Sequence, residues 1–365
     1  MNRLRRLYDA GVSIWLDTLS RDLLDSGEFA ALVDDLAISG ATSNPTIFAK
    51  AITGSERYDD QLRSLLSAGV ADSQELFFAV ALDDVRRAAA VLRPSYERAG
   101  GSDGFVSFEC TPDLADDADG TIAQALDLRR RLDLPNVLIK VPATRAGVAA
   151  IEELTARGVN VNVTLLFSVE RYEEVIEAYL RGLERRVAAG EAIDRIASVA
   201  SFFVSRVDSK ADAALAPGSP VRGRVAIANA QLVYGRYLER FAGERWRALQ
   251  ARGARPQCPL WASTGTKDPG YSDVRYVEQL IAPGVINTMP EQTPHAFADH
   301  GEVAVTLGAD LDAPEAVLRA AAAGGVDLQA ITAELEREGV AAFCDSYLQL
   351  LSCIESKLGS LSAVA

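Results

Sequence analysis

Short runs of β-branched and aliphatic residues alternate along this chain with longer amphipathic segments, the pattern of βα units that build a parallel sheet. The candidate strands, in order, are SIWLD, ISGATSN, FVSFEC, NVLIKVP, VNVNVTLL, IASVASFFV, PLWAST and GVINT. Eight is the count a closed barrel requires, so the pattern predicts an α/β fold, a single (β/α)8 barrel over residues 1–365. Helical spacing appears between the strands, at Phe78, Leu82, Val85, Ala89 and Leu92 and again at Tyr172, Ile176, Tyr179 and Leu183. The two long connections, Pro45 to Ser102 and Val207 to Gln257, carry helical pattern rather than Gly/Ser linker, so no domain boundary is expected. From about Pro314 onward the pattern predicts two or three further helices, with a turn at Gly324 and Gly325.

Strand residues in such a barrel alternate between the helical layer and the interior. In the first strand Ile14 and Leu16 take one face, and Ser13, Trp15 and Asp17 the other. In the third, Val106 and Phe108 oppose Phe105, Ser107 and Glu109; in the fourth, Val137, Ile139 and Val141 oppose Leu138 and Lys140. The fifth turns Asn162 and Thr164 inward against outward Val161, Val163 and Leu165, and the sixth adds inward Ser201 and Phe203. Closure would bring Asp17, Glu109, Lys140, Asn162, Thr164 and Ser201 together at the C-terminal mouth, where barrels of this kind carry their active sites.

Composition narrows the chemistry. A formal charge of −14 argues against general binding to nucleic acid or anionic lipid, and an anionic substrate would need a locally cationic pocket. The opening segment MNRLRRLYDAGVSIWLDT has no clean apolar run, because Asp9 and Gly11 interrupt it, and no stretch of about 18 apolar residues follows. A soluble, cytoplasmic protein is expected. Cys110, Cys258, Cys344 and Cys353 lack CxxC spacing and read as reduced, small apolar filler. With His295 and His300 the only histidines, a histidine-built zinc site or a Ser-His-Asp triad is poorly supplied, so no metal or cofactor is expected.

An inward lysine can be an ion-pair partner that only supports the fold. It can also be a nucleophile, since desolvation disfavours the charged form and frees an amine to attack a carbonyl. Asp17 and Glu109 can be hydrogen-bonding residues of the barrel, or proton carriers for a carbinolamine and a departing alkoxide. Asn44, Asn162, Thr164 and Ser201 suit hydroxyl-rich ligands, because each donates and accepts hydrogen bonds.

The strings IWLDTLSRDLL, GATSNPTIF, NVLIKVPAT, NVTLLFS and SFFVSRVD, in this order, resemble the transaldolases, in their longer bacterial form, from about Trp15 to His300. The resemblance implies a Schiff-base lysine at Lys140 and an acid/base aspartate at Asp17. It also implies a glutamate acting through a bound water at Glu109 and a threonine orienting that water at Thr164. Asn44 and Asn162 match asparagines that hold substrate hydroxyls, Ser201 and Phe203 match residues around the ketol fragment, and Arg206 matches a phosphate-binding arginine. After the seventh strand, shorter relatives read Ala-Ser-Phe-Arg where this chain reads Ala262-Ser263-Thr264-Gly265-Thr266-Lys267. Lys267 is therefore the candidate second phosphate cation, with Ser263, Gly265 and Thr266 able to offer donors.

The implied reaction moves a dihydroxyacetone unit from sedoheptulose 7-phosphate to glyceraldehyde 3-phosphate, giving erythrose 4-phosphate and fructose 6-phosphate, in the non-oxidative pentose phosphate pathway. Its partners are small sugar phosphates, and the sequence leaves monomer and homodimer open. Two rivals stand beside it. One is a class I aldolase that releases free dihydroxyacetone, and the other is a non-catalytic sugar-phosphate sensor on an enzyme fold.

Overall fold

All eight expected strands form, as β1 (Val12–Leu16), β2 (Ile38–Thr42), β3 (Val106–Glu109), β4 (Val137–Pro142), β5 (Val161–Leu166), β6 (Ser198–Phe203), β7 (Cys258–Ala262) and β8 (Val285–Met289). In this computed structural model, which describes residues 2–362 (side chains to 359), every neighbouring pair is parallel and β8 closes on β1. Helices cover the outside, and both predicted stripes are buried against the strands, Phe78 to Leu92 on the helix Ser73–Arg98 and Tyr172 to Leu183 on the helix Val169–Ala188. All four cysteines are free thiols.

The alternation separates two cores. Ile14, Leu16, Val106, Phe108, Ile139, Val141, Val161 and Val163 pack into the large cluster between barrel and helices. Trp15, Phe105, Leu138, Val199, Leu260 and Ile286 form a smaller apolar plug inside the barrel. Each fully buried side chain of this size contributes about 1.5–3 kcal/mol relative to exposure. The plug closes the lower interior, and Lys140, Thr164 and Ser201 reach the cavity above it. Gly40 makes room for the plug, since a Cβ there would lie 2.5 Å from the Trp15 indole. That ring in turn donates from Nε1 to buried Asp103 at 3.0 Å.

Two strands break the alternation. Ile14 pairs with Ile38 but Trp15 with Gly40, so β2 carries one extra residue at Ser39 and its faces exchange beyond that point. In β5 a second bulge lies between Val163 and Leu166, and Leu165 adopts a φ of 57°, a left-handed conformation disfavoured for a bulky side chain. The bulge sits immediately above Thr164, where the chain leaves the barrel.

The region after Pro314 contains two of the expected helices, Asp312–Ala323 and Leu328–Ser362, with Gly324 and Gly325 between them. The second runs over the C-terminal mouth. Thr46 donates to Ser346 at 2.7 Å, Lys210 pairs with Glu334 and Glu338 at 3.0 and 2.8 Å, and Lys357 reaches Asp59 at 2.7 Å. Gly339 permits a close approach to β5, because a Cβ there would meet the Leu165 side chain at 2.8 Å. Among the described residues no helix is long and apolar enough to cross a membrane.

Candidate active site

Parallel pairing of β3, β4 and β5 sets Glu109 opposite Lys140 and Lys140 opposite Asn162. Because neighbouring strands lie about 4.8 Å apart, three inward polar side chains become neighbours across the sheet. Lys140 Nζ lies 3.5 Å from Glu109 Oε2 and donates to the Ser43 carbonyl oxygen at 3.1 Å. Both side chains are only 6% exposed, so the ion pair is almost fully removed from water. Burial pushes the Glu109 carboxyl above its ordinary range, with nearby Asp17 adding to the rise, while the Lys140 ammonium acts in the opposite direction.

A cavity of about 310 Å³ opens above this pair. Lys140, Thr164, Ser201 and Phe203 reach it from the strands, and Asp17 and Asn44 from the segments just past β1 and β2. Arg206, Ser263, Gly265 and Lys267 complete the predicted residues on its wall, and Thr266, named with them, does not line it. Asp17 Oδ1 accepts from Thr42 Oγ1 at 2.9 Å, and Thr42 Oγ1 lies 3.2 Å from Thr288 Oγ1. Asn44 is the N-cap of the helix Pro45–Gly54, its side chain accepting from Ile47 N at 3.0 Å, with Pro45 supplying the first helical position. That hydrogen bond fixes the Asn44 side chain at the cavity wall.

Two predicted residues lie beneath the wall rather than on it. Glu109 stands behind Lys140, and Asn162 is wholly buried, donating to Ser107 Oγ at 2.9 Å and accepting from Ser201 Oγ at 2.7 Å. In this arrangement Asn162 orients Ser201. Glu109 Oε2 and Thr164 Oγ1 are both buried and make no hydrogen bond within the protein.

Cationic groups gather at the rim. Arg206 stacks its guanidinium 4.9 Å above the Phe203 ring, which packs on Phe167 at 5.6 Å. Desolvation lowers the Arg206 pKa, against the attraction of Asp17 and Glu338. Lys267 is exposed on the loop after β7, and Lys50 is exposed on the helix Pro45–Gly54. Among the described residues, none of these three cations makes a hydrogen bond or ion pair. An acidic protein therefore turns free positive charge toward this cavity.

Sequence reading missed Thr42, Lys50, Thr288 and Phe343 on the wall, and the Ser43 carbonyl at the lysine. Lys50 was discoverable, as it stands four residues after Thr46 on the helix capped by Asn44. Phe343 had no local signal, since it arrives on the helix Leu328–Ser362 from the far end of the chain.

The fold and site together define a (β/α)8 barrel with a buried lysine–carboxylate centre under a cation-rimmed cavity. The family model Transaldolase/Fructose-6-phosphate aldolase matches residues 14–354, and the chain belongs to that family. Proteins named Transaldolase from Saccharopolyspora erythraea and Frankia alni are 49% and 50% identical to it, each match covering 98% of both chains. A Transaldolase from Acidothermus cellulolyticus is 50% identical, over 97% of this chain and 96% of its own.

Proposed function

We propose that this chain is a transaldolase that carries a dihydroxyacetone unit on Lys140, from sedoheptulose 7-phosphate to glyceraldehyde 3-phosphate. The observation that carries the reading is the amine itself, buried 3.5 Å from a carboxylate at the floor of a polar cavity. Lys140 gives its ammonium proton to Glu109, 3.5 Å away, the free amine adds to the donor carbonyl, and loss of water from the carbinolamine gives the imine. Glu109 Oε2, which faces the Lys140 amine at 3.5 Å but accepts no hydrogen bond, and Thr164 Oγ1, which makes none, are the acceptor and donor that a proton-shuttling water would use in this step. Asp17, held by Thr42, takes the proton of the C4 hydroxyl as the C3–C4 bond breaks and its electron pair moves into the enamine. Erythrose 4-phosphate leaves. The enamine carbon then attacks the acceptor aldehyde, Asp17 returns its proton to the new alkoxide, and hydrolysis of the imine frees fructose 6-phosphate and Lys140.

Phe203 supports transfer over release. Its ring lies on the cavity wall with no hydroxyl to protonate the enamine or hold a hydrolytic water. Product analysis with sedoheptulose 7-phosphate and glyceraldehyde 3-phosphate should therefore yield fructose 6-phosphate and erythrose 4-phosphate with little free dihydroxyacetone. Release of dihydroxyacetone as fast as transfer would make the protein an aldolase instead, and no turnover would leave a sensor.

Arg206 and Lys267 are the proposed phosphate cations. A hydrogen bond to a charged group contributes about 1.5–3 kcal/mol, or roughly 10- to 150-fold in kcat/KM. Arg206→Ala should cost that much with phosphorylated donors and far less with dihydroxyacetone donors. Lys267→Ala should show the same preference with a smaller loss, because its side chain is exposed. Equal losses for both donor types would assign these side chains to the fold.

A further inference from the structure

Lys267 sits on a loop whose tip, from Lys267 to Gly270, is exposed, so something must hold it over the cavity. At its start, Thr264 Oγ1 donates to Asn287 Oδ1 at 2.9 Å and lies 3.0 Å from the Thr288 carbonyl oxygen, which fixes the chain to β8. At its far end the loop meets the helix Ser205–Ala214, which carries Arg206. Tyr271 donates to Asp212 Oδ2 at 2.7 Å and Tyr276 donates to Asp208 Oδ2 at 2.9 Å. The other oxygen of each carboxylate accepts a backbone N–H from the next segment, Asp212 from Gly223 and Asp208 from Ala226, both at 2.8 Å. Two carboxylates one helical turn apart thus each bind one tyrosine and one amide.

The Tyr271 ring has its own seat. Arg275 lies over it at 4.7 Å and donates to the Gly223 carbonyl oxygen at 3.1 and 2.6 Å. Gly223, at a φ of 65°, lies so close beneath that a Cβ would come within 2.6 Å of the Tyr271 ring. Inside the loop, Thr266 Oγ1 donates to the Ser272 carbonyl oxygen at 2.8 Å and Tyr271 N to that of Asp268 at 3.1 Å, closing the turn that presents Lys267.

We infer that Tyr271 and Asp212 form a clasp that positions Lys267 opposite Arg206, so that both are positioning residues for the substrate phosphate. The inference rests on the reading of Lys267 as a phosphate cation. With the clasp closed, the lysine backbone is ordered before the ligand arrives, and binding loses less entropy than it would with a free loop. Neither residue lines the cavity, so neither is given a part in the chemistry.

The test compares kcat and KM for fructose 6-phosphate and for unphosphorylated fructose as donors, together with inhibition by inorganic phosphate. Tyr271→Phe, which removes only the hydroxyl, should raise KM for fructose 6-phosphate and weaken phosphate inhibition severalfold, by no more than Lys267→Ala does, with kcat and the fructose reaction unchanged. Asp212→Asn keeps an acceptor for Gly223 and serves as the second variant should the first fold poorly; the same split is expected. In a Lys267→Ala background, Tyr271→Phe should add nothing, because the group it positions is gone. If Lys267→Ala shifts the donor preference and neither clasp variant does, the clasp is overturned and the phosphate reading stands. If Lys267→Ala leaves the preference untouched, the phosphate reading of Lys267 fails and the clasp falls with it.

Discussion

Lys140→Met will lower the transfer rate by more than about 10⁴-fold, beyond the 10²–10⁴ that a positioned acid or base alone supplies, because the covalent route itself is removed. Methionine keeps an apolar stem of similar length, and Glu109, relieved of its ammonium partner, can take up a proton rather than remain a buried lone charge. The variant should therefore fold, with the circular dichroism of the wild type. In the wild type, borohydride added with fructose 6-phosphate should fix a three-carbon adduct on Lys140, located by peptide mass mapping, since an imine is reducible and a hydrogen-bonded complex is not. An unmodified Lys140 under turnover, or a Lys140→Met enzyme retaining full activity, would end the Schiff-base reading.

That lysine could be found from sequence because a parallel barrel obeys a period of two. Apolar neighbours Ile139 and Val141 fix the outward face of β4, so Lys140 must point in, and the same parity on β3 brings Glu109 to its side. Where the period breaks, reading by parity breaks with it. The extra residue at Ser39 exchanges the faces of β2, so strict alternation from Ile38 would turn Thr42, the partner of Asp17, away from the interior. Leu165 marks the other bulge, but nothing in the run VNVTLL signals its positive φ. The loop after β7 is proposed for phosphate by its position and donors, and it does reach the cavity wall through Ser263, Gly265 and Lys267. The clasp behind it depends on Asp212, Gly223 and Tyr271, which are far apart in sequence and meet only in the folded chain. Phe343 belongs to the same class, as a residue contributed by a helix whose periodicity says only that it packs somewhere.

Glu109→Gln separates proton transfer from fold, since it keeps the shape of the side chain and removes its capacity to ionise. It should reduce kcat by about 10²- to 10³-fold with little change in donor KM, as expected for a group that moves protons rather than binding the sugar. Thr164→Val, which deletes the other buried oxygen that makes no hydrogen bond in the protein, should lower kcat in the same direction by a smaller factor. Stability should move differently from activity. A carboxyl whose pKa is raised on folding holds its proton more tightly in the folded chain than in the unfolded one. Folding is then favoured as pH falls through the raised value, and the ionised group is a cost above it. Glutamine cannot ionise, so the variant should lose this part of the pH dependence, and its Tm should fall less than that of the wild type as pH is raised through that range. The Lys140 ammonium offsets part of the cost, so the difference should grow when Lys140 is also replaced by methionine. In Glu109→Gln with Lys140 intact, the imine should still form, more slowly, and remain trappable by borohydride. Glu109→Gln turning over within about twofold of wild type would remove Glu109 from the chemistry and leave it as the counter-ion of Lys140.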